Sequence, residues 1–270
     1  MTHEDRLGAL AESRDRGAEA ADRELADLAG DTAPNTIAEV LERLDAIEAC
    51  AVRTSRRGRE DGIASFTRLY REITCEIAER DDRGEFVAPG HFLARLDVQF
   101  AWRYLEAIRT YAKDPGSTPH CWRVLFALRE VPGIPMANFA AAGVNAHINY
   151  DLSAALLRTW DLGGPISDDH RPAQQRDYDV INEVFAGQMD ELREEMGTWL
   201  SQGEDGDIPD RFANWMADLV VRWTRQMAWD TATAVWHPGD CDQAVARSDQ
   251  RLGGMAGDVG AALLRVRLPF

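Results

Sequence analysis

Between Ala140 and Ala155 the chain has no obvious side built to face water. Alanine, glycine and large apolar residues fill nearly every turn, and the polar residues among them are spaced as if for one another. A helix that is apolar all round must be enclosed by other elements. Ala140, Ala141, Ala142, Gly143, Ala146, Ala154 and Ala155 supply the small surfaces that let neighbouring helices approach closely. The sequence therefore has to build a shell around this segment.

The shell is legible in the same terms. Apolar residues recur with the 3.6-residue period from end to end, and no segment shows sustained alternation of β-branched residues. The expectation is an all-α protein, a compact multi-helix bundle of about eight or nine helices. Helices are expected near 36–50, 61–80, 89–113, 119–129, 134–161, 172–201, 209–236 and 240–266, separated by turn signals such as Asp114-Pro115-Gly116, Val131-Pro132-Gly133 and Pro238-Gly239. Residues 36–270 read as a single domain. Residues 1–35 read as a charged N-terminal helical extension whose apolar positions are mostly alanine, which places it at the periphery, facing a protein partner or a second subunit.

Charge narrows the partners. Thirty Lys and Arg against 46 Asp and Glu give a net charge of −16, which repels nucleic-acid backbones and anionic lipid surfaces. A small-molecule substrate is the expected partner, with no nucleic acid and no membrane. The N-terminus carries no basic segment followed by an apolar run, and Cys50, Cys75, Cys121 and Cys241 are too scattered for a zinc ribbon or a disulfide framework. A cytoplasmic protein with reduced thiols is expected.

Candidate chemistry concentrates in Gly143-Val-Asn-Ala-His147-Ile-Asn-Tyr-Asp151. Asn145 and Asn149 share one helical face, and His147 and Asp151 nearly the opposite one, each pair at i,i+4. The His147/Asp151 pair has the geometry of two metal ligands from one helix, and equally that of an imidazole oriented by a carboxylate for acid/base work. It is also what two groups that merely satisfy each other in a core would look like. Asp97 falls within the apolar stripe Leu93, Phe100, Ala101, Tyr104, Ile108 and Tyr111, where a carboxylate needs a metal, a ligand or a cationic partner such as Arg95 or Arg225. His147, Asp151 and Asp97 are thus the catalytic candidates, and the same three are the candidate ligands for a divalent metal such as Fe, Mn or Zn. With only His3, His91, His120, His147, His170 and His237, the chain is too poor in histidine for a trinuclear zinc centre.

In the tryptophan-rich stretch holding Trp215, Trp223, Trp229 and Trp236, core packing competes with a ligand pocket. There Trp229 would be a wall and Arg225 an anchor, joining Asn145 and Asn149 as substrate-binding candidates. Asp81-Asp82-Arg-Gly-Glu85 superficially matches the aspartate-rich magnesium diphosphate motif of terpene cyclases, in a context that reads as an exposed loop. No phosphate loop, nucleophile elbow or dinucleotide fingerprint is present.

The segments Asp61-Gly-Ile-Ala-Ser-Phe-Thr-Arg-Leu-Tyr70, Phe92-Leu-Ala-Arg-Leu-Asp97-Val-Gln-Phe-Ala101, Asn145-Ala-His-Ile-Asn-Tyr-Asp-Leu152 and Arg225-Gln-Met-Ala-Trp229 together resemble a bacterial all-helical family, the domain-of-unknown-function family numbered 5995, over roughly residues 60–265. That resemblance implies a fold class and no activity. The residues themselves favour a small-molecule enzyme working by acid/base or metal-assisted hydrolysis or rearrangement. Its rivals are a non-catalytic helical binding or interaction protein and an isoprenoid diphosphate cyclase of secondary metabolism.

Overall fold

The computed structural model describes residues 17–163, 169–181, 183–184 and 221–265, and within them it is all-α, without strands. After α1 (residues 17–29) come α2 (Ile37–Thr54), α3 (Gly62–Asp82), α4 (Phe92–Lys113), α5 (His120–Leu128) and α6 (Met136–Ala146). A π-helical turn (His147–Asp151) leads into α7 (Leu152–Gly163), followed by α8 (residues 171–181), α9 (Val221–Val235) and α10 (Cys241–Arg265). The expected helices between 185 and 201 and between 209 and 220, with Trp215, lie outside the described residues, as do the side chains of Arg222 and Trp223.

Local chemistry sets the helix starts. Thr36 caps α2 by accepting from the Glu39 amide, while the Glu39 carboxylate accepts from the Asn35 amide, a reciprocal arrangement that satisfies two otherwise orphaned donors. Asp61 caps α3 by accepting from the amides of Ile63 and Ala64. Pro119 and Pro135 immediately precede α5 and α6. His91, ahead of α4, is the one non-glycine residue among the described ones with a positive φ, 52°.

The α6–π–α7 rod is the centre of the molecule, buried without interruption from Ala137 to Leu157. Helices α3, α5 and α10 pack on α6, and α4, α9 and α10 pack on α7. Small residues make the contacts possible: a Cβ on Gly143 would stand 2.2 Å from Cδ2 of Phe66, and one on Gly257 of α10 would stand 2.5 Å from the His120 imidazole. Three of the four cysteines are buried and none is disulfide-bonded. Among the described residues no helix is long and apolar enough to cross a membrane.

The N-terminal helix departs from the peripheral placement expected of it. Ala21, Leu25 and Ala29 form an i, i+4, i+8 stripe that is buried against the bundle. Asp22 pairs with the buried Arg129 at 3.3 Å, and Arg129 lies 3.8 Å from the fully buried Asp61 at the start of α3. Arg43 of α2 donates to the carbonyls of Ala29 and Thr32, and Arg53 pairs with Glu24. Alanine at a contact face is a means of close approach, and composition alone mistook it for a lack of anything to bury.

Candidate functional site

His147 and Asp151 fall on the π turn. The Leu152 amide bonds the His147 carbonyl, an i→i+5 link that widens the turn and sets residue i+4 more nearly above residue i. Their side chains meet, Nδ1 to Oδ2 at 3.0 Å, with His147 only 2% and Asp151 only 1% exposed. Asp151 has two further donors: Trp122 Nε1 at 2.9 Å on the same oxygen, and Arg103 Nε at 3.2 Å on the other. Arg103 in turn bonds Asp249 of α10 at 2.9 Å and lies over the Tyr150 ring. Burial works against the Arg103 charge, but Asp151 and Asp249 outweigh it, so the guanidinium stays charged.

These donors fix the state of the imidazole. Burial holds the His147 pKa below its ordinary 6.5, with the Asp151 hydrogen bond opposing, so the ring is neutral at neutral pH. The Asp151 carboxylate keeps the ring proton on Nδ1, which leaves Nε2 as a lone-pair acceptor, and it has no hydrogen-bond partner among the described residues. Phe100 stacks on one face of the ring, with Tyr70 edge-on at 4.6 Å and Phe66 and Trp122 also packed against it.

Asn145 and Asn149 are committed to packing. Asn149 Nδ2 donates to Asn145 Oδ1, and Asn145 Nδ2 donates to the Ala256 carbonyl, both at 2.8 Å, which ties the central rod to α10.

Asp97 lies elsewhere. It is 4% exposed, its Oδ2 has no hydrogen-bond partner among the described residues, and burial alone pushes its carboxyl up to about 7. It borders a partly open cavity of about 30 Å³, room for roughly two water molecules. The walls are aliphatic and aromatic, among them Ile73, Leu93, Leu96, Phe100, Leu152 and Ile181; Tyr70, Asp97 and Arg225 also border it, but the surface that faces the space is almost wholly apolar. The Thr74 side chain is near enough to the Tyr70 hydroxyl to lower its pKa slightly, but neither hydroxyl has a partner of good hydrogen-bond geometry among the described residues. Burial first, and the Asp97 charge second, push the Tyr70 phenol well above its ordinary range.

Arg225, 3% exposed, donates to the Tyr178 carbonyl at 2.7 Å and lies 4.2 Å over the Tyr178 ring, while the Tyr178 hydroxyl bonds the Arg225 carbonyl. Burial lowers its pKa. Trp229 packs with Phe92, Trp160 and Tyr178 and does not border the cavity.

The seven sequence candidates thus divide. His147 and Asp151 form one unit and Asn145 and Asn149 another. Asp97 and Arg225 share the cavity, and Trp229 belongs to an aromatic cluster. Tyr70 and Phe100 join the first and third groups, since both touch the His147 ring and both line the cavity. Among the described residues no three His, Cys, Asp or Glu side chains are placed to hold a metal ion, so the set His147, Asp151 and Asp97 does not converge as ligands. The Asp151 oxygens already face three N–H donors, a surrounding suited to an anion and not to a cation. Asp82 is exposed at the end of α3, and His170 is exposed in a turn.

Sequence reasoning missed Trp122, Arg103 and Asp249, the partners that hold Asp151, and it missed the cavity role of Tyr70. Phe66 and Tyr70 stand four apart inside a quoted motif, which was a usable signal for an aromatic face. Nothing in the sequence marked Trp122.

No curated protein and no solved structure matches the chain. The model of the family of unknown function DUF5995 matches residues 37–266, nearly the whole chain beyond α1, and the protein belongs to that family.

Proposed function

We propose that this protein is a small-molecule enzyme whose chemistry is proton transfer in the cavity between α3, α4 and α9. Asp97 acts as the acid/base group, and the His147–Asp151 pair, one aromatic layer behind, positions the rings that wall the cavity. A single observation carries the reading: Asp97 is buried beside an apolar void, and its Oδ2 has no hydrogen-bond partner among the described residues. Leaving such a group unsatisfied costs about 1–3 kcal/mol, which a bound substrate would offset. A carboxyl held near 7 is also half ionised at neutral pH, where it can both take and return a proton.

Rearrangement fits this group better than metal-assisted hydrolysis, because the cavity gathers one carboxyl and one phenol and the Asp151 oxygens are already occupied. The non-catalytic reading draws support from the size of the void. Two waters bonded to Asp97 and Tyr70 would fill it and leave a polar core that serves packing alone.

A thermal-shift and NMR screen of small uncharged metabolites against the wild type and Asp97→Asn separates the two. The enzyme reading expects stabilising compounds that the folded variant no longer binds. Compounds that bind both proteins equally, or none at all, favour the packing reading.

A further inference from the structure

The connection from α3 to α4 is held to the rest of the molecule by one buried carboxylate. Its last six residues, Phe86-Val-Ala-Pro-Gly-His91, lie outside both helices. The backbone is left-handed before them at Gly84, φ 67°, and again at their end, at Gly90, φ 69°, and His91, φ 52°. Glycine takes such angles freely, whereas His91 takes them at a cost. Pro89 has no amide to give. Among the described residues, the backbone of this segment bonds to another element only through Val87 and Ala88, whose amides donate to Oδ1 and Oδ2 of Asp177 on α8, at 3.0 and 2.7 Å. Asp177 is 1% exposed and Val87 is 51% exposed, so a buried acceptor grips an exposed loop. Of the loop's side chains, Phe86 and Ala88 pack part-buried against the core.

The grip lies beside the interior. Asp177 stands one turn before Ile181 on the same face of α8. The loop leaves the part of α3 that carries Ile77 and runs into the first turn of α4, which carries Leu93. Ile77, Leu93 and Ile181 all border the partly open cavity beside Asp97. Helix α8 has a separate anchor, because the Tyr178 hydroxyl donates to the Arg225 carbonyl while Arg225 donates to the Tyr178 carbonyl on α9. An ion pair from α3 to α8, Arg80 with Glu183 at 3.8 Å, is exposed on the Glu183 side and holds little.

We infer that residues 86–91 form a strap that opens and closes independently of the bundle, with Asp177 as its latch, and that opening uncovers Leu93 and the end of the cavity where α3, α4 and α8 meet. The strap turns on Gly84 and on Gly90–His91, while α8 stays bound to α9. Closed, it leaves room for roughly two water molecules. Open, it gives the interior beside Asp97 a route to solvent, whether Asp97 carries chemistry or serves packing alone.

Native-state hydrogen exchange on the full-length wild type tests the independence of the strap, in urea below the unfolding transition. The Val87 and Ala88 amides are expected to be protected, and to exchange through an opening that barely responds to urea because it exposes little surface. The Tyr104 amide, in the middle of α4, is expected to follow global unfolding with its steep urea dependence. Equal dependence at both places overturns the inference, and so does an absence of protection at Val87 and Ala88.

Thiol labelling read by peptide mass spectrometry tests what the opening uncovers. Leu93, 3% exposed, is replaced in Leu93→Cys, and the native Cys121, 1% exposed on α5, reports global opening in the same molecule. Adding Asp177→Ala is expected to speed labelling at position 93 about tenfold or more, the order expected for losing hydrogen bonds to a charged acceptor, and to leave Cys121 unchanged. Equal acceleration of both thiols would mean that the whole fold has loosened, and it overturns the inference. Acceleration of neither removes Asp177 as the latch and overturns it as well.

Discussion

The Phe100 ring lies parallel to the His147 imidazole, 3.4 Å between centroids and 9° between planes. Phe100 is also a wall of the Asp97 cavity, so the His147–Asp151 pair and Asp97 lie on the two sides of one aromatic layer. Whatever holds His147 in place also holds one face of the cavity. The chain of support runs from Asp249 through Arg103 to Asp151, then to His147, then to Phe100 and Tyr70.

The two centres respond to pH in opposite directions. Asp97 has a folded pKa of about 7 against 3.8 for the ordinary group, so between these values the folded state binds more protons than the unfolded one. Its contribution is full at low pH and is lost as pH rises through 7, with roughly 4 kcal/mol lost once both states are ionised. Asp97→Asn should therefore gain stability over the wild type by roughly 4 kcal/mol at pH 8.5 and by well under half of that at pH 5. Urea unfolding at both values checks this, and equal effects at both would refute a raised Asp97 pKa.

His147 has a folded pKa below 6.5, so the unfolded state is the one that binds the extra proton as pH falls. Stability from the neutral imidazole is complete above about 6.5 and declines below it. His147→Phe should flatten that acid-side decline while lowering stability near pH 7.5, because the Asp151 oxygen loses a donor. Denaturation midpoints between pH 5 and 7.5 give the measurement. An unchanged acid slope would show that His147 is not the group responsible.

Asp151 is the anchor, and its donors should be unequal. Trp122→Phe keeps the ring stacked on Phe126 and removes one hydrogen bond to a charged group, an expected loss of about 1.5–3 kcal/mol. Arg103→Met removes the only cation paired with Asp151 among the described residues and strands a buried carboxylate, an expected loss of about 3–5 kcal/mol. Thermal and urea unfolding of both variants would rank them. A smaller loss for Arg103→Met than for Trp122→Phe would mean that the charge is neutralised in another way.

How far the sequence carried differs between fold and site. Among the described residues helical periodicity located the helices, because burial of an apolar stripe decides each one locally. The small and apolar residues that surround Asn145, His147, Asn149 and Asp151 identified the central rod for the same reason. Site residues were found where polarity conflicted with surroundings, as at Asp97, His147 and Asp151. Their grouping was not legible, because it depends on helix rotation and on partners distant in sequence: Arg103 reaches Asp151 across 48 residues, and Asn145 reaches Ala256 across 111. The π turn left no mark at all, since one extra residue in a turn changes direction without changing composition. The alanine-rich α1 misled because small residues signal either nothing to bury or a very close contact, and only the partner distinguishes the two.

Removal of residues 1–30 should therefore destabilise the protein measurably, even though this segment precedes the residues that the family model matches. Truncation exposes the cluster that Leu25 and Ala29 cover and deprives the buried Arg129 of Asp22. Leu25→Ala in the full chain isolates the packing part, with an expected loss of about 2–5 kcal/mol. Melting curves of the truncated and substituted proteins are the measurement. An unchanged transition in both would return α1 to the periphery.

The tightest contact around the site offers the last test. Gly143 sits against Phe66, where a Cβ would come within 2.2 Å of the ring, and Phe66 itself packs edge-on against His147. Neither the central rod nor the ring has free space to yield, so Gly143→Ala should push Phe66 into the aromatic cage at an overpacking cost of about 1–3 kcal/mol. Phe66→Leu alone leaves a void beside Tyr104 and Trp122 and is also destabilising. Together the two changes should be less harmful than their sum, because the added methyl occupies part of the space the ring gives up. A double-mutant cycle by urea unfolding measures this coupling. Strict additivity would mean that Gly143 and Phe66 do not meet, and the support drawn here for the His147 cage would fail with them.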